Sequence, residues 1–416
     1  MKDVVIVSAC RTAIGTFGGT LKDVHAVDIA SVVMKEAIKR AGISPDLIED
    51  VRFGNCFEPH TSLNLARVAA LKSGIPNTSV AVTMNRVCIS GMEATISGMA
   101  MIQAGLADVI LSGGVEHMSG VVYVVPGARW GCRLQNSTLD DRLIEGLMCG
   151  SRLIPCPENA PLAGSMPYDM YKGKPYIMGH TAEFVAQMYN ISREEMDEVA
   201  LRSHNNVERA TKEGTFAEEI VPVEIHQKKG KPPKIFDKDE HFRPGITMED
   251  LRQLPPAFIP VTGKVTAGNA SGLNDGASAT VIMSQEKAKE LGLKPLARIK
   301  AVGYGGCDPS IMGMGPAPAV RNLMKRSKLR LEDFEQIELN EAFAAQYLGC
   351  EKELKINREI TNVNGSGIGL GHPVGATGNR LIVTLIHTMK KHKKSLGLAT
   401  LCGGGGVSMA TAIEML

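Results

Sequence analysis

The sequence has few aromatic residues and no dominant charge. Phe, Trp and Tyr make up 4% of the 416 residues, and 46 Lys and Arg stand against 44 Asp and Glu, for a net charge of +2. Proteins that bind single-stranded nucleic acid use aromatic stacking in a basic groove, and anionic membranes attract strongly basic proteins. The composition therefore argues against both as partners, and any anionic ligand must be bound by a local site.

Long apolar runs and paired cysteines are also missing. No run reaches the roughly 18 to 20 apolar residues that a membrane-spanning helix needs, and the apolar part of the N-terminal MKDVVIVSACRT is too short for a secretory signal. The nine cysteines are scattered and contain no C-x-x-C pair, which argues against a disulfide framework and against a zinc site. We expect a cytoplasmic protein with no metal site and no membrane span.

Strand and helix patterns alternate along both ends of the chain. The first series comprises VVIV, AVDIASVVMKEAIKRA, VRFGN, SLNLARVAALKSG, VAVTMN, a helix over 91–104 and DVILSGG. The second comprises ARIKAVGYG, PAPAVRNLMKRS, QIELNEAF, NVNG, a helix over 376–391, LGLATLCGGGG and SMATAIEM. Alternation predicts an α/β fold with a largely buried sheet. The repeated order predicts a duplication whose two reactive turns meet at a central crevice.

The segment from about 121 to 283 differs from both series. It contains the Pro-rich stretches CPENAPLAGSMP, KKGKPPK and LPPAFIP and one helical region in which Ser192 and Glu195 have capping-box spacing. Long insertions of this kind are usually functional or disordered, and we interpret this one as a lid. Its lysine cluster, Lys228 to Lys234, is a solvated loop or an aid to an anionic cofactor, whereas KKHKK over 390–394 is typical of a helix C-terminus.

Three motifs contain residues suited to acyl chemistry. In NRVCISGMEA, Cys88 follows a strand and opens a helix, where the helix dipole and free N–H groups favour a thiolate. In NVNGSGIGLGHPVGATGNR, His372 precedes a proline and is placed as a base for a cysteine nucleophile. In LCGGGG, Cys402 enters glycines whose N–H groups suit an oxyanion hole. Buried structural cysteines and a backbone-bonded turn histidine are the alternatives.

A fourth motif, LNEAFAAQ, places Asn340 and Glu341 at the end of a predicted strand. A polar side chain there can orient a water or an acyl oxygen, or it can cap a helix. The glycines around His372 fit the dinucleotide pattern G-x-G-x-x-G poorly, and no acidic residue follows at the required distance. Nicotinamide binding is therefore not predicted.

These motifs, together with RTAIGTFGGTL, GGVEHMS, TAGNASGLNDGA and GCDPSIMGMGPAPA, occur in the order seen in thiolases. The chain resembles that family from about Lys2 to its C-terminus. The resemblance implies an α/β thiolase fold, a duplicated five-layered αβαβα core with a loop domain. The expected divisions are an N-terminal half over 1–120, completed by about 250–283, a lid over 121–249, and a C-terminal half over 284–416.

The resemblance also implies roles for particular residues. Cys88 becomes the acylated nucleophile, His372 its base and Cys402 the acid/base for the second substrate. Asn340, through a water, and the Gly404 backbone contribute to oxyanion holes. Coenzyme A is a co-substrate and no cofactor is permanently bound. The expected coenzyme A contacts are Ser271, Arg243, Met178, Phe258 and Phe343.

The implied activity is ping-pong acyl transfer, either thiolysis of 3-oxoacyl-CoA or condensation of two acetyl-CoA. A homodimer or homotetramer is expected, as is association with other β-oxidation enzymes. Many acetoacetyl-CoA thiolases have His-Met-Gly where this chain has Ile177-Met178-Gly179. This difference argues against strict specificity for short acyl chains. The alternative is a non-catalytic acyl-CoA carrier of the same shape. A ketoacyl synthase would use a second histidine in place of Cys402.

Overall fold

A computed structural model describes residues 2–159, 162–227 and 231–416. Its strands are β1 Val4–Thr12, β2 Gly15–Thr16, β3 Asp50–Gly54, β4 Val80–Met84, β5 Val109–His117, β6 Tyr123–Val124, β7 Asp140–Asp141, β8 Ile220–Val221, β9 Val223–Ile225, β10 Lys234–Phe236, β11 Asn274–Ser284, β12 Ala297–Gly306, β13 Gln336–Leu339, β14 Leu396–Gly403 and β15 Val407–Met415. Its α-helices are α1 Ala26–Ala41, α2 Leu65–Lys72, α3 Ser90–Gln103, α4 Arg142–Leu147, α5 Met178–Met188, α6 Arg193–Lys212, α7 Met248–Arg252, α8 Gln285–Glu290, α9 Pro316–Ser327, α10 Ala344–Leu354, α11 Gly367–Leu370 and α12 Val374–His392.

The main sheet runs in the order β13-β14-β15-β12-β1-β11-β5-β3-β4, with β2 and β8 attached at its side. Each half repeats one pattern: β1-β11-β5-β3 and β12-β15-β14-β13 both begin with two antiparallel pairings and end with a parallel one. The halves join where Val5 and Ile6 of β1 pair with Arg298 and Ala297 of β12. The duplication predicted from the alternating patterns is thus present as a repeated strand order.

Helices lie in three layers around the two half-sheets. The α1 helix packs on β1, β11 and β5, the α9 helix packs on β12 and β15, and the α3 and α12 helices pack on each other between the half-sheets. The central layer is tight because glycines line the contact: a Cβ added to Gly91 would lie 2.9 Å from the backbone nitrogen of Asn379. The five layers hold the N-termini of α3 and α12 side by side, and these termini follow Cys88 and His372.

Most predicted elements are confirmed, and one is wrong. The α1 and α9 helices occupy the predicted segments, and Ser192 and Glu195 form the capping box at the start of α6. NVNG, expected to be a strand, is a turn. Asn362 has a φ of 49° there, and its side chain bonds the N–H and C=O of Leu339 at 2.9 and 2.7 Å. A side chain thus occupies the position that a strand backbone would take beside β13.

The segment from about 121 to 283, predicted to be a lid, contributes a strand to the main sheet. Its last strand, β11, pairs with both β1 and β5. Part of the lysine cluster at Lys228 to Lys234 lies outside the described residues. Across the described ranges, no helix is both long enough and apolar enough to cross a bilayer.

Candidate active site

Cys88 lies in a constrained turn between β4 and α3. Val87, immediately before it, has a φ of 52°, a conformation that β-branched residues rarely adopt. Two side chains hold the turn: Asn85 Oδ1 accepts the Val87 N–H at 3.0 Å, and Ser90 Oγ donates to the Val87 carbonyl at 2.6 Å. The strained backbone presents the Cys88 thiol towards the interior.

The hydrogen bonds of His372 determine which ring nitrogen is free. Its Nδ1 lies 2.7 Å from Thr377 Oγ1, which is also 3.0 Å from the Pro373 carbonyl. Because a hydroxyl has one proton and the carbonyl can only accept, Thr377 donates to Pro373 and accepts from the His372 Nδ1–H. The Nε2 atom therefore carries a lone pair and is the basic nitrogen of the neutral ring.

Asn340 lies beside that free nitrogen. Its Nδ2 is 3.5 Å from His372 Nε2, and its Oδ1 accepts from Nη2 of the buried Arg380 at 3.4 Å. The Arg380 guanidinium thereby directs the amide nitrogen of Asn340 towards the imidazole. Burial, reinforced by the Arg380 charge, lowers the pKa of His372 to about 3, so the ring is neutral at working pH.

Cys402 is the second-last residue of β14 and is fully buried. Gly404 lies two residues further on, and its backbone N–H is one of the groups that lower the pKa of the Cys88 thiol. A Cβ at Gly404 would overlap the Cys149 sulfur, so glycine is required for this close approach. The predicted thiol and the predicted oxyanion donor thus come from one strand end.

A cavity of 130 Å³, here called the tunnel, brings the predicted residues together. Cys88, His372, Cys402, Ser271, Met178, Phe258 and Phe343 all line it. Asn340 and Gly404 do not line the tunnel themselves. Asn340 contacts the lining residue His372, and the Gly404 N–H lowers the pKa of the lining residue Cys88. Arg243 does not line the tunnel; its side chain is exposed, two residues from the His241 ring that packs against Gly272 of the tunnel wall. In the described part of the chain, no cluster of His, Cys, Asp and Glu is arranged to hold a metal ion.

The surroundings of Cys88 in the resting protein favour the thiol over the expected thiolate. Burial raises the pKa of Cys88 to about 12, with Cys149 nearby adding to the rise, and this outweighs the N–H groups of Gly404 and Cys88 itself, which lower it. Burial likewise raises the pKa of Cys402 well above its usual value. Both thiols are therefore protonated at rest, since desolvation penalises an anion more than these donors stabilise it.

We expect alkylation of Cys88 by iodoacetamide to rise about ten-fold per pH unit from pH 6 to 9, because the thiolate fraction grows by that factor well below the pKa. Peptide mass spectrometry would follow the Cys88 peptide, with the exposed Cys132 monitoring the reagent in the same digest. A rate that levels off below pH 8 would show a preformed thiolate.

Several supporting residues were not singled out from the sequence. Thr377 and Asn274 hold His372, Asn274 by accepting its backbone N–H at 2.8 Å. Glu116 is buried and accepts the N–H groups of Cys56, Phe57 and Gly375 at 2.9 to 3.1 Å, joining the turn after β3 to the start of α12. Glu116, Asn274 and Thr377 lie in motifs quoted above, but their partners are distant in sequence.

Comparisons with known proteins now decide the family. The family model "Thiolase, N-terminal domain" matches residues 4–154 and 158–286, and "Thiolase, C-terminal domain" matches residues 293–415. The chain belongs to the thiolase family. It is similar to the acetyl-CoA acetyltransferase of Cupriavidus necator, with 45% identity and 100% of each chain covered.

Solved thiolase structures confirm the predicted fold. The acetyl-CoA acetyltransferase of Bacillus anthracis superposes with a TM-score of 0.92 at 47% identity, covering 100% of this chain and 99% of that one. Human mitochondrial 3-ketoacyl-CoA thiolase in complex with CoA superposes with a TM-score of 0.91 at 37% identity, covering 100% and 98%. This thiolase is therefore an acyltransferase that moves acetyl or acyl groups between coenzyme A thioesters, with coenzyme A as co-substrate.

Proposed function

We propose that Cys88 is the nucleophile of this thiolase and His372 Nε2 its base. In thiolysis, the Cys88 proton passes to Nε2 as the sulfur attacks the 3-keto carbon of a 3-oxoacyl-CoA. The bond between carbons 2 and 3 then breaks, leaving a shortened acyl group on sulfur and the enolate of acetyl-CoA. The buried, protonated Cys402 donates its proton to that enolate, and acetyl-CoA leaves.

The second half-reaction reverses these roles. The Cys402 thiolate takes the proton of the incoming coenzyme A thiol, whose sulfur attacks the acyl carbon on Cys88. The shortened acyl-CoA departs, and the Cys88 thiolate recovers its proton from His372. Condensation of two acetyl-CoA follows the same steps backwards, and two half-reactions that share one acyl-enzyme give ping-pong kinetics.

Two sets of donors would stabilise the oxygen anions. The N–H groups of Cys88 and Gly404, which both lower the pKa of the Cys88 thiol, face the acyl oxygen on sulfur. Asn340, through a water, and the protonated Nε2 of His372 face the second oxygen. Such donors act strongly because the site is buried.

For coenzyme A we propose that Ser271, Met178, Phe258 and Phe343 contact the pantetheine arm in the tunnel, which all four line. Arg243, exposed outside it, is proposed to contact the adenine end. Human mitochondrial 3-ketoacyl-CoA thiolase has been solved in complex with CoA, which supports the proposal that the similar fold of this chain binds coenzyme A.

One observation supports these assignments: His372, whose Nε2 is unprotonated, lines the same cavity as the two protonated thiols Cys88 and Cys402. The test is coenzyme A-dependent cleavage of 3-oxoacyl-CoA esters from acetoacetyl-CoA upward. We expect turnover with parallel lines in double-reciprocal plots, as ping-pong transfer requires. Intersecting lines would contradict a shared acyl-enzyme.

We also propose a homodimer or homotetramer. Large apolar side chains stand exposed on the segment around β6 and β7, namely Tyr123, Trp130, Leu134 and Leu139, and exposed apolar patches often mark interfaces. Light scattering is expected to give at least twice the mass of 44.5 kDa; a monomeric mass would contradict it. Association with other β-oxidation enzymes stays a prediction.

We propose a cytoplasmic location. All nine cysteines, each within the described ranges, are free, which supports a cytoplasmic location. The division into halves over 1–120, completed by about 250–283, and 284–416, with a lid over 121–249, stays a prediction. The choice between degradation and synthesis depends on metabolite levels.

A further inference from the structure

Cys88 also lines a second cavity, most of whose other lining residues differ from those of the tunnel. This side cavity has a volume of 340 Å³ and shares Cys88, Leu147, Met178 and Val374 with the tunnel. Its own walls include Phe57, Gly146, Cys149 and Gly404, whereas the proposed coenzyme A contacts Ser271, Phe258 and Phe343 line the tunnel alone. Two cavities therefore adjoin Cys88, and the proposed coenzyme A site occupies only the tunnel.

The chemistry at Cys88 assigns a direction to each substituent of the reacting carbon. The acyl oxygen faces the N–H of Gly404, which belongs to the side cavity and not to the tunnel. The coenzyme A arm leaves through the tunnel. The remaining substituent is the alkyl chain of the acyl group, and the side cavity is the space left for it.

The lining of the side cavity suits an alkyl chain. Among the described residues that line it, none has a charged side chain. The one amide, Asn85, already bonds the Val87 N–H at 3.0 Å and the Cys56 carbonyl at 3.3 Å, so it offers little to a polar ligand. A cavity of about 150 Å³ accommodates benzene, and 340 Å³ is more than twice that.

We propose that the side cavity binds the alkyl chain of medium-length acyl groups, and that Phe57, Gly146 and Cys149 determine the chain length accepted. Gly146, in α4, packs directly beneath the Phe57 ring, and a Cβ there would overlap it. Glu116 holds the Phe57 backbone N–H at 3.1 Å, so substitutions of Phe57 change the ring and leave its backbone anchored. This inference rests on the proposed thiolase mechanism and specifies its substrates.

The test compares kcat/KM for 3-oxobutanoyl-, 3-oxohexanoyl-, 3-oxooctanoyl- and 3-oxodecanoyl-CoA. The wild type is expected to cleave 3-oxooctanoyl-CoA at least as well as 3-oxobutanoyl-CoA. Phe57→Trp should lower the ratio of kcat/KM for 3-oxooctanoyl-CoA to kcat/KM for 3-oxobutanoyl-CoA about ten-fold, the effect of one or two displaced methylenes. Phe57→Ala should raise this ratio. Phe17→Trp is the matched control, because Phe17 is half exposed and lines neither cavity; its ratio should not change.

The possible failures are distinguishable. Ratios that stay within about two-fold in both Phe57 variants, or a wild type that cleaves only the butanoyl substrate, would overturn the chain-binding site and leave the mechanism intact. No turnover of any substrate would overturn the mechanism itself.

A second measurement does not depend on the Phe57 variants folding. Cys149 lines the side cavity, so an octanoyl group on Cys88 should shield it and an acetyl group should not. We expect alkylation of Cys149, followed by peptide mass spectrometry, to be about five-fold slower in the octanoyl-enzyme than in the acetyl-enzyme, as exclusion of the reagent from an occupied pocket requires. Equal rates would place the chain elsewhere.

Discussion

Replacing Cys88 by serine is expected to reduce thiolysis by at least about a thousand-fold, in line with the loss of a nucleophile in other covalent enzymes. A serine hydroxyl is a far weaker nucleophile than a thiol at neutral pH and leaves no labile thioester for coenzyme A to attack. Initial rates with acetoacetyl-CoA would measure the loss. Intact-protein mass spectrometry after acetyl-CoA should show an acetyl adduct on the wild type and none on the variant.

Cys132→Ser is the matched control, because this thiol is exposed and lines neither cavity; we expect wild-type rates. Binding of coenzyme A, measured by calorimetry, should survive in Cys88→Ser since the proposed coenzyme A contacts lie elsewhere along the tunnel. A Cys88→Ser variant with near-normal turnover would remove this residue from the nucleophile role.

Thr377→Val is expected to lower kcat/KM by about a hundred-fold, within the range that general base catalysis contributes. Valine keeps the shape of threonine but cannot accept the His372 Nδ1–H, now bonded at 2.7 Å. Without that acceptor, a proton at Nδ1 is no longer stabilised, and its move to Nε2, which lies 3.5 Å from Asn340 Nδ2, would occupy the lone pair that the base needs. Thiolysis rates across pH 6 to 9 would measure the loss.

Thr377→Ser tests whether the hydroxyl itself matters. Serine can accept the same proton and donate to Pro373, so activity within a few-fold of wild type is expected. Thermal unfolding of both variants would separate a folding defect from a chemical one. If the valine variant matched the serine variant in rate, Thr377 would fill space and His372 would be oriented by other contacts.

The resting site is electrically neutral around its reacting atoms. Burial raises the pKa of the Cys88 and Cys402 thiols and lowers the pKa of His372, so no ion pair forms before the substrate arrives. In the proposed mechanism, proton transfer from Cys88 to His372 is coupled to attack on the carbonyl, when the oxyanion donors gain a charge to stabilise. A helix N-terminus alone would have suggested a preformed thiolate.

Local sequence determined much of this molecule. Alternating apolar periods placed helices such as α1 and α9, and the β4–α3 turn placed Cys88, because hydrophobic spacing, caps and turn residues act over a few neighbours. The motifs around His372, Cys402 and Asn340 predicted for the same reason residues that the structure brings to one cavity or beside it. NVNG failed as a strand because its partner, Leu339, is bonded through an asparagine side chain.

Only the tertiary structure decided how those residues work. Whether Cys88 is a thiol or a thiolate depends on its burial, which arises from packing of α3, α12 and the segment containing Cys149. Which nitrogen of His372 is unprotonated depends on the direction of the Thr377 hydroxyl proton. The side cavity depends on the contact between Phe57 and Gly146, which are distant in sequence. These properties arise from desolvation and contacts between residues distant in the chain, so no local pattern encodes them.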